Sequence, residues 1–232
     1  MGKIGIIGAM EEEVIALKRC MNITNTVKKA QMEFICGSFN NADIVVVRCG
    51  IGKVNAAVCT QILVDLFDVS CIINTGVAGG LHPDINIGDI VISTNTVHHD
   101  MDTTAFGDPR GFIPRMNKSF FDADSKLIQI AQESANSVIG KNKVYIGTIA
   151  SGDQFVASID VKTDIYNTFT AYCAEMEGAA IAHTCFLNNV AFVIIRAISD
   201  TADSNADVNF AEFTELAAKN ALSIIEKMLE NI

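Results

Sequence analysis

Phe192-Val193-Ile194-Ile195-Arg196-Ala197-Ile198-Ser199-Asp200 reads as a strand with no wet face that nevertheless ends on a cation and an acid. A half-exposed strand alternates apolar and polar residues, whereas one covered on both sides stays apolar throughout. Similar short β-branched runs stand at 3–7, 43–48, 71–74, 89–93 and 144–149, each bounded by Gly, Asn or Asp. Helical patterns fill the intervals at 11–20, 53–67, 125–138, 177–188 and 210–229, and the last sets Phe213, Ala217, Ala221, Ile224 and Met228 down one face. Strands alternating with helices predict an α/β fold, with a parallel or mixed sheet under helices on both faces. In such folds ligands bind beyond the carboxyl ends of the strands, so Arg196 to Asp200 lie where function is expected.

The composition agrees with one globular domain over 1–232. Half of the 232 residues are hydrophobic and 19% are charged, enough to bury a large core and unlike a disordered chain. A net charge of −10 with no basic patch argues against nucleic acid or an anionic membrane surface as partner. The apolar runs fall far short of the roughly 18 residues that span a bilayer, and residues 4–10 lack the form of a signal peptide. Seven cysteines, odd in number, widely spaced and without a CxxC pair, read as reduced and buried. A cytoplasmic protein is expected. The stretch 98–119, rich in Gly, Pro, Asp and Thr, has no periodicity and is expected to be a functional loop or an oligomer contact.

Several motifs carry chemistry. Gly8-Ala9-Met10-Glu11-Glu12-Glu13 delivers three acids into the expected first turn of a helix. Side chains there are roughly 100° apart, so at most one aims into the crevice, and charge complementarity with a helix N-terminus accounts for the others. The segment is not GxGxxG, and its acids would repel a pyrophosphate, which argues against a nicotinamide cofactor and a Rossmann oxidoreductase. Gly50-Ile51-Gly52-Lys53 fails as a P-loop because Val47 and Val54 stand where Gly and Ser/Thr are needed, leaving a tight strand-to-helix turn and no assigned role for Lys53. Gly76-Val77-Ala78-Gly79-Gly80 either lets backbone N–H groups approach a small molecule, with Gly79 a binding candidate, or makes a tight turn. His98-His99 has no second ligand cluster, so no metal is expected. His183 reads as a core or interface histidine, and Ser151 is not in a GxSxG elbow. Glu175-Met176-Glu177 opens a small-residue helix, and a structural ion pair between Arg196 and one of these glutamates is one account of the buried cation.

Taken together, the 6–13 segment, Gly50 to Val54, Asn74-Thr75-Gly76, Ser151-Gly152-Asp153, Glu175-Met176-Glu177 and Arg196 to Asp200 resemble the 5′-methylthioadenosine/S-adenosylhomocysteine nucleosidases, collinearly from residue 3 to about 225. The resemblance implies a three-layer α/β/α domain around a mixed, partly barrel-like sheet, a 5′-substituted adenosine substrate, no cofactor and a homodimer. It implies that Glu13 activates water and that Asp200, beside Ser199, protonates adenine N7. Glu177 and the Met176 backbone, after Glu175, would hold the ribose hydroxyls, with Met10 bordering the sugar. Phe155 would stack on the purine, the Val156 backbone would read its edge, and Arg196 would help position the water. Phe106 and Pro114 would complete the thioalkyl pocket of the neighbouring subunit.

The residue types suit that reaction. Adenine leaves poorly as an anion, so one carboxyl must donate a proton while another activates water on the opposite face of an oxocarbenium-like sugar. Asp200 would need burial to keep its proton, and Glu13 would stay ionised at a positive helix N-terminus. Phosphorylase relatives carry a phosphate-binding Arg where this chain has Asn74, which disfavours phosphorolysis. Many of the nucleosidases carry Ser where this chain has Val77, which shifts the water onto Glu13, Arg196 and backbone groups. A catalytically idle nucleoside-binding protein is the remaining alternative, and the presence of both Glu13 and Asp200 argues against it.

Overall fold

The computed structural model describes residues 2–203 and 206–232. In chain order the elements are β1 (Lys3–Gly8), α1 (Ile15–Cys20), β2 (Asn22–Lys29), β3 (Met32–Phe39), β4 (Ala42–Arg48), α2 (Lys53–Phe67), β5 (Val69–Gly80), β6 (Ile90–His98), β7 (Phe120–Asp122), α3 (Ser125–Ile139), β8 (Val144–Ser151), α4 (Ile159–Phe169), β9 (Cys173–Glu175), α5 (Gly178–Asn188), β10 (Ala191–Asp200) and α6 (Ala206–Leu229). All the strands join one sheet. Five of them, in the order β10-β6-β8-β9-β5, close into a barrel because β10 also pairs in parallel with β5 from Ala191↔Cys71 to Asp200↔Gly79. From β5 the sheet continues through β1, β4, β3 and β2, parallel as far as β4 and antiparallel beyond. The mixed, partly barrel-like α/β fold expected from the sequence is therefore present.

The apolar runs are explained by two helical layers. Alternate residues of one strand serve opposite cores: Ile4, Ile6, Ile44, Val46, Ile73, Val193 and Ile195 pack under α1, α3 and α6, while Ile7, Val45, Val47, Ile72 and Ile194 pack under α2 and α5. A strand apolar on both faces cannot sit at a wetted surface without losing about 25 cal/mol for each Å² left in water, so both faces must be covered.

Three local expectations need correction. The first helix begins at Ile15, four residues later than expected, because the chain from Glu11 to Val14 turns to bring Glu13 inward. Gly76 to Gly80 makes no turn, since these residues are extended within β5 and pair with β10 and β9. Cys20, at the outer end of α1, is exposed, while five of the other six cysteines are buried and none is in a disulfide. The β2–β3 and β3–β4 hairpins have no counterpart in the sequence reading. Their two-residue turns, Ala30-Gln31 and Asn40-Asn41, take positive φ at both positions without a glycine, and β2 is almost wholly exposed and polar. Among the described residues no helix is long and apolar enough to cross a membrane.

Phe34 of β3 is fully buried and stacks on Phe67 at the end of α2, ring centroids 5.2 Å apart. Phe34→Ala is expected to cost about 3–5 kcal/mol. The denaturation midpoint should fall with little change in slope, and turnover measured below the transition should persist, because the ring is remote from the cavity described next.

Candidate active site

A cavity of about 380 Å³ opens where the strands end. Its wall takes Ala9 and Met10 from just past β1, Val77 to Gly79 from β5, Gln154 to Val156 from beyond β8, Ala174 to Glu177 from β9 and its continuation, and Ser199-Asp200 from β10. Ile51 and Phe210 complete it. The lining is mainly apolar, and its acids are Glu13, Glu175, Glu177 and Asp200.

Glu13 is buried, and three backbone N–H groups fix its carboxylate: Ala9 at 2.6 Å and Met10 at 2.9 Å on Oε2, Val77 at 3.1 Å on Oε1. Gly76 makes room for it, since a Cβ there would stand 2.6 Å from Oε1. Asp200 accepts the Ala202 N–H on Oδ1 at 2.8 Å and the Ser199 hydroxyl on Oδ2 at 3.0 Å. It lies opposite Gly79, whose missing side chain leaves space that a Cβ would occupy 2.7 Å from Oδ1. Glu13 is thus anchored at residue 77 and Asp200 at residue 79 of one extended strand, anchor points about 7 Å apart.

Behind the wall runs a second layer of polar contacts. Arg196 is fully buried, and its guanidinium donates to Glu175 Oε2, to Asn74 Oδ1 at 2.5 Å and to the Ile195 carbonyl at 3.0 Å. Glu175 also accepts the Ser151 hydroxyl and the N–H groups of Glu177 and Gly178, so one carboxylate caps the start of α5 and neutralises the arginine. Ser151 Oγ in turn accepts the Ala179 N–H at 2.7 Å. Glu177, by contrast, is held among the described residues only on its Oε1, by the N–H of Gly52 at 2.8 Å.

With this geometry in place, the relatives can be compared. The model of the phosphorylase superfamily matches residues 3–230. A 5′-methylthioadenosine/S-adenosylhomocysteine nucleosidase of Bacillus licheniformis is 43% identical over 231 residues, 99% of each chain. The Neisseria meningitidis nucleosidase of the same name, solved with methylthio-immucillin-A, superposes with a TM-score of 0.96 at 39% identity over all of both chains. The chain belongs to the 5′-methylthioadenosine/S-adenosylhomocysteine nucleosidase family. A futalosine hydrolase of Helicobacter pylori has the same fold, with a TM-score of 0.94 at 34% identity over 100% of this chain and 98% of that one.

Of the residues singled out from the sequence, the structure brings Met10, Glu13, Gly79, Phe155, Val156, Glu175, Met176, Glu177, Ser199 and Asp200 onto this nucleosidase's cavity. Arg196 lies behind it. Phe106 and Pro114 are exposed on the 98–119 loop, outside their own chain's cavity. Only Glu13 of the three clustered acids turns inward; Glu11 pairs with Lys18 and Glu12 is exposed. The positive surroundings expected from a helix N-terminus come instead from loop and strand N–H groups and from Arg196, because α1 starts after Glu13. Phe210 was missed. It continues the α6 core stripe one turn before Phe213, which reads as core packing, and it also meets Phe155 edge-on, centroids 5.7 Å apart, a contact between segments 55 residues apart that helix periodicity does not signal. His183 stacks on Phe121, as a packed histidine does. Among the described residues no three His, Cys, Asp or Glu side chains gather as metal ligands would.

Burial dominates the protonation of the site. It pushes the Glu13 carboxyl above its ordinary range, against the pull of Arg196 and the three N–H groups. It likewise raises Asp200 over the opposing Ala202 and Ser199 contacts. Glu177 is pushed up to about 8, first by burial and then by the charge of Glu175. For Glu175, burial is the largest single influence and acts upward, but Arg196, Ser151 and Gly178 together overcome it and hold the carboxyl low.

A carboxyl whose folded pKa is raised keeps its proton after the unfolded chain has lost its own, so its contribution fades as pH rises from the unfolded value, about 4.3, through the folded one. The ligand-free protein should therefore lose stability between pH 5 and pH 8. Glu177→Gln, which cannot ionise, should gain in Tm relative to wild type across that window by at least about 2 °C, roughly 1 kcal/mol for a chain of this size. A constant offset between the two from pH 5 to 8.5 would refute the assignment.

Proposed function

We propose that the protein hydrolyses the N-glycosidic bond of 5′-methylthioadenosine and S-adenosylhomocysteine, and also of 5′-deoxyadenosine, to adenine and the free sugar, with Asp200 as general acid at N7 and Glu13 activating water. The observation that carries this reading is the placement of two separately held carboxyls, Glu13 and Asp200, at neighbouring points of β5 inside one apolar cavity. The names of the full-length relatives support the same substrates.

The sequence of events follows from the contacts. Phe155 and Phe210 at the mouth offer aromatic surfaces for the purine, and the backbone at Val156 offers polar groups to its edge. Burial raises the affinity of Asp200 for its proton, the direction that a donor to N7 needs as the C1′–N9 bond lengthens. Positive charge then grows on the ribosyl centre, in a cavity whose other ionisable groups are carboxyls. Glu177 and the Met176 backbone hold the ribose hydroxyls. Glu13, its oxygens oriented by three N–H groups, takes a proton from the attacking water. Arg196 counters the charges of Glu175 and Glu13 from behind, which fixes the base and the water it serves.

Phosphate is a poor nucleophile here. A dianion entering the cavity would face acids, and the one buried guanidinium behind the wall already donates to Glu175 and Asn74. Asn74 itself is committed, donating to the Ile7 carbonyl at 2.9 Å.

We further assign a homodimer. Ile51, Val54 and Val58 on and before α2 and Phe106 on the long loop are exposed apolar residues, Phe106 at 87%. A second copy would cover them and receive Phe106 and Pro114 at its thioalkyl pocket. Futalosine is a second substrate to test, since a futalosine hydrolase shares the whole fold.

Adenine release should be independent of phosphate and leave a reducing sugar; ribose 1-phosphate as product would make the enzyme a phosphorylase. Removing one general acid costs about 10²–10⁴-fold. Asp200→Asn should accordingly lower kcat at least a hundredfold while substrate still binds, and a variant keeping more than about a tenth of wild-type kcat would rule Asp200 out as the acid.

A further inference from the structure

We propose that Lys53 is a positioning residue for the ribose side of the site, acting on Glu177 through the backbone of Gly52; this rests on the reading that Glu177 holds the ribose hydroxyls. Lys53 opens α2, and its ammonium reaches both oxygens of Asp100, at 2.6 and 2.7 Å. Asp100 Oδ2 also accepts the Asp153 N–H at 3.0 Å, and Asp153 Oδ1 accepts the backbone N–H of Lys53 at 2.8 Å. These contacts close a ring that ties the start of α2 to the segments leaving β6 and β8.

Among the described residues, the one before Lys53 is the only one whose N–H is seen on the Glu177 carboxylate. Gly52 holds φ 98° and ψ 161°, a backbone state that side chains disfavour, and a Cβ on it would come 3.1 Å from Asp153 Oδ1. That peptide needs outside support to stay pointed at Glu177, and the ring supplies it on the following residue. The same ring ends at Asp153, immediately before the Gln154 to Val156 stretch of the cavity wall. Its charges are partly shielded, with 24% of the Lys53 and 28% of the Asp100 side chain exposed, so the pair is screened less than an open surface pair. Without the ammonium, Asp100 and Asp153 face one another with no intervening cation in the ring, and the Gly52 peptide loses its clamp.

The test compares 5′-methylthioadenosine with its 2′-deoxy and 3′-deoxy analogues in wild type, Lys53→Met, Lys53→Arg and Asp100→Asn, with Tm followed in parallel. Wild type should prefer the ribonucleoside at least tenfold over one analogue, about the cost of leaving a buried hydrogen-bonding group without its partner. Lys53→Met and Asp100→Asn should each lose about tenfold in kcat/KM on the ribonucleoside and less than twofold on that analogue, so that the preference collapses. Lys53→Arg, able to bind the same carboxylate with two N–H groups, should keep it. Equal losses on all three substrates, or a lower Tm with the preference intact, would overturn the proposal while leaving Glu177 in its role. A wild-type enzyme that does not distinguish the three nucleosides would remove the role of Glu177, and the proposal with it.

Discussion

A guanidinium with no access to water governs this structure. Arg196 of β10 is fully buried beside β5 and β9, and isolating a charge there would be prohibitive without a partner held in good geometry. Glu175 provides it from β9, Asn74 supports it from β5, and Ser151 at the end of β8 orients the carboxylate from its other side. Three strands besides β10 therefore have to arrive at fixed heights for the pair to be satisfied. That requirement also fixes the cavity, because the residues immediately beyond those anchors, Gln154 to Val156, Met176-Glu177 and Val77 to Gly79, are its wall. The pair contributes less as net stability than as a demand for one register.

The same charge partitions the acids. Glu175 takes the strongest share of Arg196 and stays ionised; its negative charge and the shared burial then raise Glu177. Glu13 feels the arginine at longer range and is bound by N–H groups, yet burial still lifts it. Asp200, with no arginine among the influences on it, is raised first by burial and further by the charge of Asp203. The cation thus holds Glu175 low, while burial raises the other three carboxyls of the cavity.

Four of the five barrel strands were legible because burial on both faces leaves uninterrupted apolar runs, as in 71–74 and 192–198, whereas the three-residue β9 and the helix α4 were not read. The β2–β3 hairpin was not, for β2 offers the core almost nothing and its Ala30-Gln31 turn lacks the glycine that marks such turns. Barrel closure was invisible to periodicity, since it depends on β5 being long enough to pair with β1, β9 and β10 at once. For the site, acids at the ends of apolar strands stood out, Asp200 after Ile198 above all. The sequence pattern could say that one of Glu11, Glu12 and Glu13 turns inward; the turn before Ile15 decides which. Phe210 and the Gly52–Glu177 contact escaped because each joins distant segments through a feature, a ring edge or a backbone N–H, that no motif encodes.

Val77 shows how the reaction tolerates a change in its wall. The side chain is apolar where many relatives have a hydroxyl, but the backbone N–H at this position is the one that holds Glu13 Oε1, and that contact is independent of the side chain. Water in the cavity is then oriented by the base and by peptide groups. A tetrahedral phosphate dianion would need several cationic donors that these groups do not replace. Val77 in place of a hydroxyl lowers the polarity of the wall further, which acts on the proton affinity of Asp200 in the same upward direction as burial. On the proposed mechanism, the arrangement that offers phosphate no free cationic donor is the one that leaves the cleavage to a water at Glu13.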